Sequence, residues 1–133
     1  MTTGPYVGEM AVGKLTQLVL ECDDPERLAR FWQEILDLPE PEGDSDWLTL
    51  RWEPVGRFSF HRVAGFRPPA WPGEHGEQQV HFDLLVDDVD DACLAVEKAG
   101  AHPLTDVVDP GPKAWRIYAD PAGHPFCLVS VSE

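Results

Sequence analysis

The segment VHFDLLVDDVDDACLAVEKAGA, residues 80–101, is the most informative part of the sequence about the fold. Its first part is rich in Val, Leu and Phe, which predicts a strand over residues 78–86. Two aspartates follow, and the apolar residues then recur at helical spacing, which predicts a helix over residues 89–99. The apolar stripe of this helix consists of Val89, Ala92, Cys93, Val96 and Ala99. Because Gly100 suits the end of a helix, the stretch predicts a strand that leads directly into an amphipathic helix.

The same pattern occurs 64 positions earlier, in LVLECDDPERLARFWQEIL at residues 18–36. This shift aligns the two halves without a gap from the first strand, predicted over residues 14–22, to the end of the helix. Asp24 suits the N-cap, and Pro25 suits the first helical position, where its missing N–H costs nothing. The apolar stripe of this helix consists of Leu28, Phe31, Trp32, Ile35 and Leu36. We therefore expect Trp32 to lie in the core.

Each predicted helix is followed by further strand-like segments. They lie at residues 47–52 and 57–63 after the first helix, and at residues 102–108, 113–119 and 125–131 after the second. A strand–helix–strand–strand unit therefore occurs twice in one domain. Two such units side by side would create a cleft between their sheets, where a ligand could bind. We predict a flexible leader at residues 1–13, modules at residues 14–63 and 78–133, and a connecting loop at residues 64–77.

Composition and charge limit the classes of function. The chain of 133 residues carries 24 Asp+Glu against 10 Lys+Arg, for a formal net charge of −14. Such an acidic chain repels phosphate backbones and anionic lipids, which argues against nucleic-acid and membrane binding. It opens with no basic segment followed by an apolar run, so we expect a cytoplasmic protein. Three cysteines without a C-x-x-C pair argue against a disulfide framework and a structural zinc site.

Strand alternation predicts which side chains face the cleft. If Leu18, Leu20 and Cys22 face their helix, then the intervening residues of that strand face the cleft. The same reasoning applies to the strand at residues 78–86. The predicted cleft-facing residues of the two strands are Gln17, Val19, Glu21, His81, Asp83 and Leu85. On the last strand, Cys127, Val129 and Val131 would share one face.

Five tryptophans are many for a chain of this length. The aromatic residues outside the predicted helices either form the walls of a site for a planar ligand or fill the interiors of the sheets. The candidate ligand contacts among them are Trp47, Phe60, Trp71 and Trp115. The loop at residues 64–76 either covers the mouth of the cleft or only bridges the two modules, and we favour the bridge.

The chain resembles the vicinal oxygen chelate superfamily, which includes glyoxalases, bleomycin-resistance proteins and extradiol dioxygenases, and within it the actinobacterial glyoxalase-like domains. The stretches that carry the resemblance are LVLECDDPERLARFWQEIL, DWLTLRW, VHFDLLVDDVDDACLAVEKAGA and YADPAGHPFCLV. They span residues 14–131, and the closing stretch with the two Asp-Asp helix openings is the most diagnostic part. The resemblance implies an α+β fold of two tandem βαβββ modules that curl around a shared cleft, often in a homodimer.

The resemblance also implies three positions for a divalent metal, on the first strand of each module and on the last strand. They correspond here to Gln17, His81 and Cys127, where the family usually has His, His and Glu. Gln is a weak neutral donor and Cys replaces a hard ligand with a soft one, so we favour no cofactor, with a divalent metal as the alternative. Asp83 or Glu21 would be the nearest source of a hard oxygen ligand.

His81 and Cys127 each allow two interpretations. His81 is either a wall residue hydrogen-bonded to Asp83 or Gln17, or a general base that Asp83 orients. Cys127 either packs as a small buried apolar residue, which we favour, or acts as a nucleophile. His61 and His124 lie on or beside later strands, and the sequence pattern does not place them.

Three functions are compatible with these residues. The favoured one is the binding of a hydrophobic or aromatic small molecule, such as a natural product, without a metal. Gln17, Trp47, Phe60, Trp71, Trp115 and Cys127 would contact the ligand. The alternative is a metal-independent isomerase, lyase or cyclase that uses His81 and Asp83 as acid and base. The least favoured is a divalent-metal lyase or dioxygenase with an unusual ligand set.

Overall fold

The computed structural model describes residues 11–53, 55–70 and 80–130. The chain divides into two compact units, of which the first ends at Phe66 and the second begins at Arg67. Trp71, Val131 and much of the predicted leader and connecting loop lie outside the described residues.

The first module contains one helix and four strands. They are β1 (Gln17–Cys22), α1 (Pro25–Leu36), β2 (Glu42–Gly43), β3 (Trp47–Trp52) and β4 (Gly56–Arg62). The strands form one sheet in the order β1-β4-β3-β2. The edge strand β1 is parallel to β4, and the other pairs are antiparallel. A parallel pair requires a crossover connection, and α1 lies in the chain that makes it.

The second module repeats this topology. Its elements are β5 (Phe82–Leu85), α2 (Val89–Ala99), β6 (His102–Pro103), β7 (Trp115–Ala119) and β8 (Pro125–Val129). The sheet order is β5-β8-β7-β6, again with a parallel first pair. The predicted α+β class and the two βαβββ modules are therefore confirmed.

The predicted helix boundaries are confirmed, and the aspartates act as caps. The carboxylate of Asp24 accepts a hydrogen bond from the backbone N–H of Arg27 at 3.2 Å, and that of Asp88 accepts one from Asp91 at 3.0 Å. Each satisfies a backbone donor that the first turn of a helix leaves unpaired. Gly100, with φ 123°, ends α2 in a conformation that glycine adopts at no steric cost.

The strands differ from the sequence prediction mainly after the helices. The short strand β2 was not predicted, and β6 covers only two residues of the strand expected over residues 102–108. The reason for the early end of β6 is Thr105, whose hydroxyl accepts the backbone N–H of Ile117 at 3.3 Å. Its carbonyl accepts a hydrogen bond from the Arg116 side chain at 2.7 Å. Side-chain hydrogen bonds thus replace the backbone ladder at this point.

Each sheet buries the face that is covered by its own helix. In the first module the buried side chains include the four aromatic residues Phe31, Trp32, Phe58 and Phe60. Trp32 is 1% exposed, which confirms its predicted place in the core. In the second module the corresponding face includes a polar pair, because the hydroxyl of buried Tyr118 donates a hydrogen bond to Glu97 at 2.6 Å.

Among the described residues, neither helix is long and apolar enough to span a membrane.

Candidate ligand-binding site

The face of each sheet that points away from its helix, here called the helix-free face, carries most of the predicted site residues. Strand alternation places Gln17, Val19 and Glu21 of β1 on this face, because Cys22 is buried towards the helix side. Strand pairing extends each of these positions into a row across the sheet. The rows are Gln17–Arg57–Arg51, Val19–Ser59–Thr49 and Glu21–His61–Trp47.

A chain of hydrogen bonds fixes the orientation of Gln17. The Ser59 hydroxyl donates to Gln17 Oε1 at 2.6 Å, and Thr49 Oγ1 lies 2.8 Å from Ser59 Oγ. A hydroxyl has one proton, so Thr49 donates to Ser59 and Ser59 donates to Gln17. The amide oxygen of Gln17 is thereby engaged. Its two N–H donors have no partner among the described residues and are available to a ligand.

A histidine that the sequence pattern did not place lies two rows further along the same face. His61 Nδ1 is 3.5 Å from a carboxylate oxygen of Glu21, and the His61 ring centroid is 5.0 Å from that of Trp47. Trp47 is 38% exposed, so this part of the face presents a large apolar surface beside the polar chain. The predicted ligand-contact residue Trp47 therefore shares a face with Gln17.

The helix-free face of the second sheet carries a cluster of three titratable groups. His81 precedes β5 by one residue, and its Nε2 lies 3.3 Å from an Asp83 carboxylate oxygen. Asp83 is the strand partner of Cys127 on β8. The potential ligand atoms of all three lie within 4.8 Å of one another. The next row contains Leu85, Val129 and the predicted ligand-contact residue Trp115.

The thiol of Cys127 stays protonated at neutral pH. Burial raises the pKa of this thiol to about 11, and the negative charge and hydrogen bond of Asp83 act in the same direction. The side chain is 8% exposed. Such a thiol packs as a small apolar residue and is a poor nucleophile, which matches the favoured interpretation of Cys127.

The donor atoms do not suit the hard divalent ions. Mg²⁺ and Mn²⁺ prefer sets of oxygen ligands, whereas the cluster offers one imidazole, one carboxylate and one thiol. Gln17, at the third implied position, already accepts the Ser59 proton with its amide oxygen. Zn²⁺ accepts these ligand types, but Cys127 would first have to lose a proton that it holds with a pKa of about 11. We therefore derive no catalytic step through a metal.

Phe60 was predicted to contact the ligand, but it lies in the core. It is 0% exposed and its ring centroid lies 4.7 Å from that of Phe58, on the helix side of the first sheet. A side chain at this position fills the core, so we leave Phe60 out of the site. Trp71 lies outside the described residues.

Four polar residues on the middle strands of the first sheet were not predicted as part of a site. Thr49, Ser59 and the two arginines, Arg51 and Arg57, all lie on its helix-free face. Their alternation with Leu50 and the phenylalanines of β4 was visible in the sequence, and it would have assigned them to one face. Their contact with Gln17 was not visible, because it depends on which residues pair across strands.

Comparison with solved structures shows the same fold in proteins of low sequence identity. A glyoxalase-related enzyme from Fulvimarina pelagi is similar with a TM-score of 0.63 and 16% identity, over 89% of this chain and 88% of that one. The fosfomycin resistance protein FosX from Mesorhizobium loti has a TM-score of 0.62 and 17% identity, over 92% and 95%. A glyoxalase/bleomycin resistance protein/dioxygenase family enzyme from Burkholderia phytofirmans has a TM-score of 0.62 and 12% identity, over 88% and 98%.

A comparison of the sequence with protein-family models identifies the family. The curated proteins give no match to the chain. The model of the glyoxalase-like domain, however, matches residues 17–129, from the first residue of β1 to the last residue of β8. The chain therefore belongs to the glyoxalase-like domain family of the vicinal oxygen chelate superfamily.

Proposed function

We propose that this protein binds a hydrophobic or aromatic small molecule on the helix-free faces of its sheets, without a metal. The observation that carries the proposal is the hydrogen-bond chain from Thr49 through Ser59 to Gln17. It holds two N–H donors of Gln17 ready for a ligand, one row from exposed Val19 and on the same face as exposed Trp47. Small-molecule sites typically combine apolar surface with a few oriented polar groups.

The relatives support a small molecule as the ligand class. One of the similar structures is named a fosfomycin resistance protein, and another belongs to a family named in part after bleomycin resistance. Those names describe the relatives. For this chain they favour a compact organic ligand over a macromolecule.

Titration calorimetry with methyl 2-naphthoate, a neutral aromatic probe, tests the proposal. We expect saturable binding that is unchanged by EDTA. Gln17→Leu should weaken it, because the ester carbonyl loses its N–H donor, by about fivefold to tenfold. Gln33→Leu on α1 is the matched control and should bind the probe as the unsubstituted protein does. An absence of binding, or its loss in EDTA, would overturn the proposal.

A second candidate function is metal-independent acid–base catalysis by His81. The 3.3 Å contact with Asp83 favours it, because a carboxylate at this distance orients the imidazole. His81→Ala distinguishes the two functions once a turnover is found. Loss of a general base should lower the rate by about 100-fold or more, whereas a binding protein should lose only a modest part of its affinity.

We also propose a cytoplasmic homodimer. The dimer rests on the family resemblance, and the location is the expectation from the sequence. Light scattering coupled to size-exclusion chromatography measures the mass in solution, and cell fractionation measures the location. A monomeric mass across the concentration range would contradict the dimer.

A further inference from the structure

Two arginines lie directly opposite each other on the helix-free face of the first sheet. Arg51 on β3 pairs with Arg57 on β4, and Gln17 on β1 pairs with Arg57 from the other side. Both arginines are exposed. In the described part of the chain, neither forms an ion pair with a carboxylate. Like charges directly opposite in a sheet are destabilising, so the stability of the fold does not explain this pair.

The surroundings of this pair include two carboxylates. A hollow of about 150 Å³ is lined by both arginines together with Thr49, Gly56, Glu40 and Glu42. The carboxylate of Glu40 lies 3.7 Å from the guanidinium of Arg30, which also contacts Glu26. Within the described ranges of the chain, neither Glu40 nor Glu42 pairs with Arg51 or Arg57. In a chain with a net charge of −14, these two guanidinium groups therefore keep their N–H donors free of carboxylate partners among the described residues.

We propose that Arg51, Arg57 and the amide N–H groups of Gln17 bind an anionic oxygen group, a carboxylate or a phosphoryl group, on the ligand. The inference rests on the proposed function and specifies its ligand class as an aromatic or hydrophobic acid. Guanidinium groups present paired N–H donors that match the two oxygens of a carboxylate or phosphoryl group. Gln17 adds uncharged donors in the same row, since Ser59 occupies its oxygen.

The spacing of the rows suits such a ligand. Val19 lies two residues along β1 from Gln17, which is about 7 Å in a strand. An acid held in the Gln17 row can therefore lay a bicyclic ring along the face towards exposed Val19, in the direction of Trp47. One end of the ligand would meet N–H donors, and the other would meet apolar surface.

Three naphthalene probes test the inference by titration calorimetry: 2-naphthoate, 2-naphthyl phosphate and neutral methyl 2-naphthoate. We expect at least one anion to bind about tenfold more tightly than the ester, because charge-assisted hydrogen bonds are the strong ones. The better anion identifies the group as carboxylate or phosphoryl. The double variant R51Q/R57Q should lose this preference and keep its affinity for the ester.

Arg62→Gln is the control for the loss of a positive charge outside the site, because Arg62 lies on β4 like Arg57 but in the row of Cys22. It should keep the preference for the anion. The thermal midpoint of R51Q/R57Q should be no lower than that of the unsubstituted protein, which shows that the variant is folded.

The outcomes separate the two proposals. Binding of the ester without a preference for either anion would overturn this inference and leave the proposed function standing. A preference that survives in R51Q/R57Q, or that disappears in Arg62→Gln, would also overturn it. If none of the three probes binds, both proposals fail.

Discussion

The two modules share a topology and differ on both faces of their sheets. Both have the strand order of a βαβββ unit, with a parallel first pair and antiparallel others. Their strand registers also correspond, so that Gln17 matches His81, Ser59 matches Cys127 and Trp47 matches Trp115. The repeat therefore preserves the backbone arrangement while most side chains at matched positions differ.

On the helix-free faces, the first module presents a row of hydrogen-bond donors beside its Glu21–His61 pair, and the second presents a histidine, a carboxylate and a thiol in one cluster. Where the first has Thr49, Arg51 and Arg57, the matched positions in the second are Ile117, Ala119 and Pro125. The second has instead the cluster of His81, Asp83 and Cys127. The same strand pairing therefore forms with very different side chains on this face. The side chains on this face can differ with function, because the fold does not depend on them.

The cores of the two modules also differ in the size of their buried side chains. Substitutions in these cores should have the largest effect on the free energy of unfolding. Trp32 on α1 and Val96 on α2 are matched by the 64-residue repeat, and both are buried. Trp32→Ala should lower the free energy of unfolding by about 3–5 kcal/mol. Val96→Ala should cost about 1–2 kcal/mol, since it removes less apolar surface. Urea unfolding measures both, and equal losses would mean that the two cores contribute alike.

A smaller effect is expected from the polar pair in the second core. Tyr118→Phe removes the hydroxyl that donates to Glu97 and should lower the free energy of unfolding by about 1 kcal/mol, since Glu97 keeps access to water. Glu97→Gln retains an acceptor oxygen and should cost less. The same urea experiment measures both variants. A Tyr118→Phe protein as stable as the unsubstituted one would show that the hydrogen bond adds nothing to this core.

Cys127 should make the stability depend on pH at the alkaline end. Its pKa is raised from 9.0 to about 11 in the folded protein, chiefly by burial. The unfolded chain therefore releases this proton first as the pH rises. The stabilising contribution is complete below pH 9 and is lost between about pH 9 and 11. Cys127→Ala should lose less stability than the unsubstituted protein over this window.

The absorbance of the thiolate measures the pKa of Cys127 independently of stability. The titration of Cys127→Ala gives the contribution of the other two cysteines, which is subtracted. Asp83→Asn should lower the pKa of Cys127, because it removes the neighbouring negative charge. An unchanged titration in Asp83→Asn would show that Asp83 does not influence the thiol.

The smallest effect concerns the opposed arginines. Arg57→Gln removes a like-charge contact with Arg51 and should raise the free energy of unfolding by a few tenths of a kcal/mol, about 0.2–0.5. The gain should shrink at high salt, which screens exposed charges. A loss of stability instead would assign Arg57 a structural role and weaken the case for an anion site.

The helices, most of the strands and the face on which each strand residue lies follow from patterns in the sequence. Apolar spacing, the capping aspartates and the repeat predicted both helices, the twofold occurrence of the module and the core position of Trp32, whereas the βαβββ topology was implied by the family resemblance. Strand alternation predicted that Gln17 and Val19 share one face, as do His81 and Asp83. These features follow from interactions between residues close together in the chain, and such interactions leave a periodic pattern.

The contacts between side chains of different strands depend on the tertiary structure. Ser59 reaches Gln17 across 42 positions of sequence, and Arg51 faces Arg57 because of the register of β3 and β4. A shift of register by one residue would turn these side chains to the other face. Phe60 shows the same dependence, since its pattern allowed either a ligand contact or a core position and packing placed it in the core. Partners across strands are set by pairing and packing of the whole sheet, which no local pattern encodes.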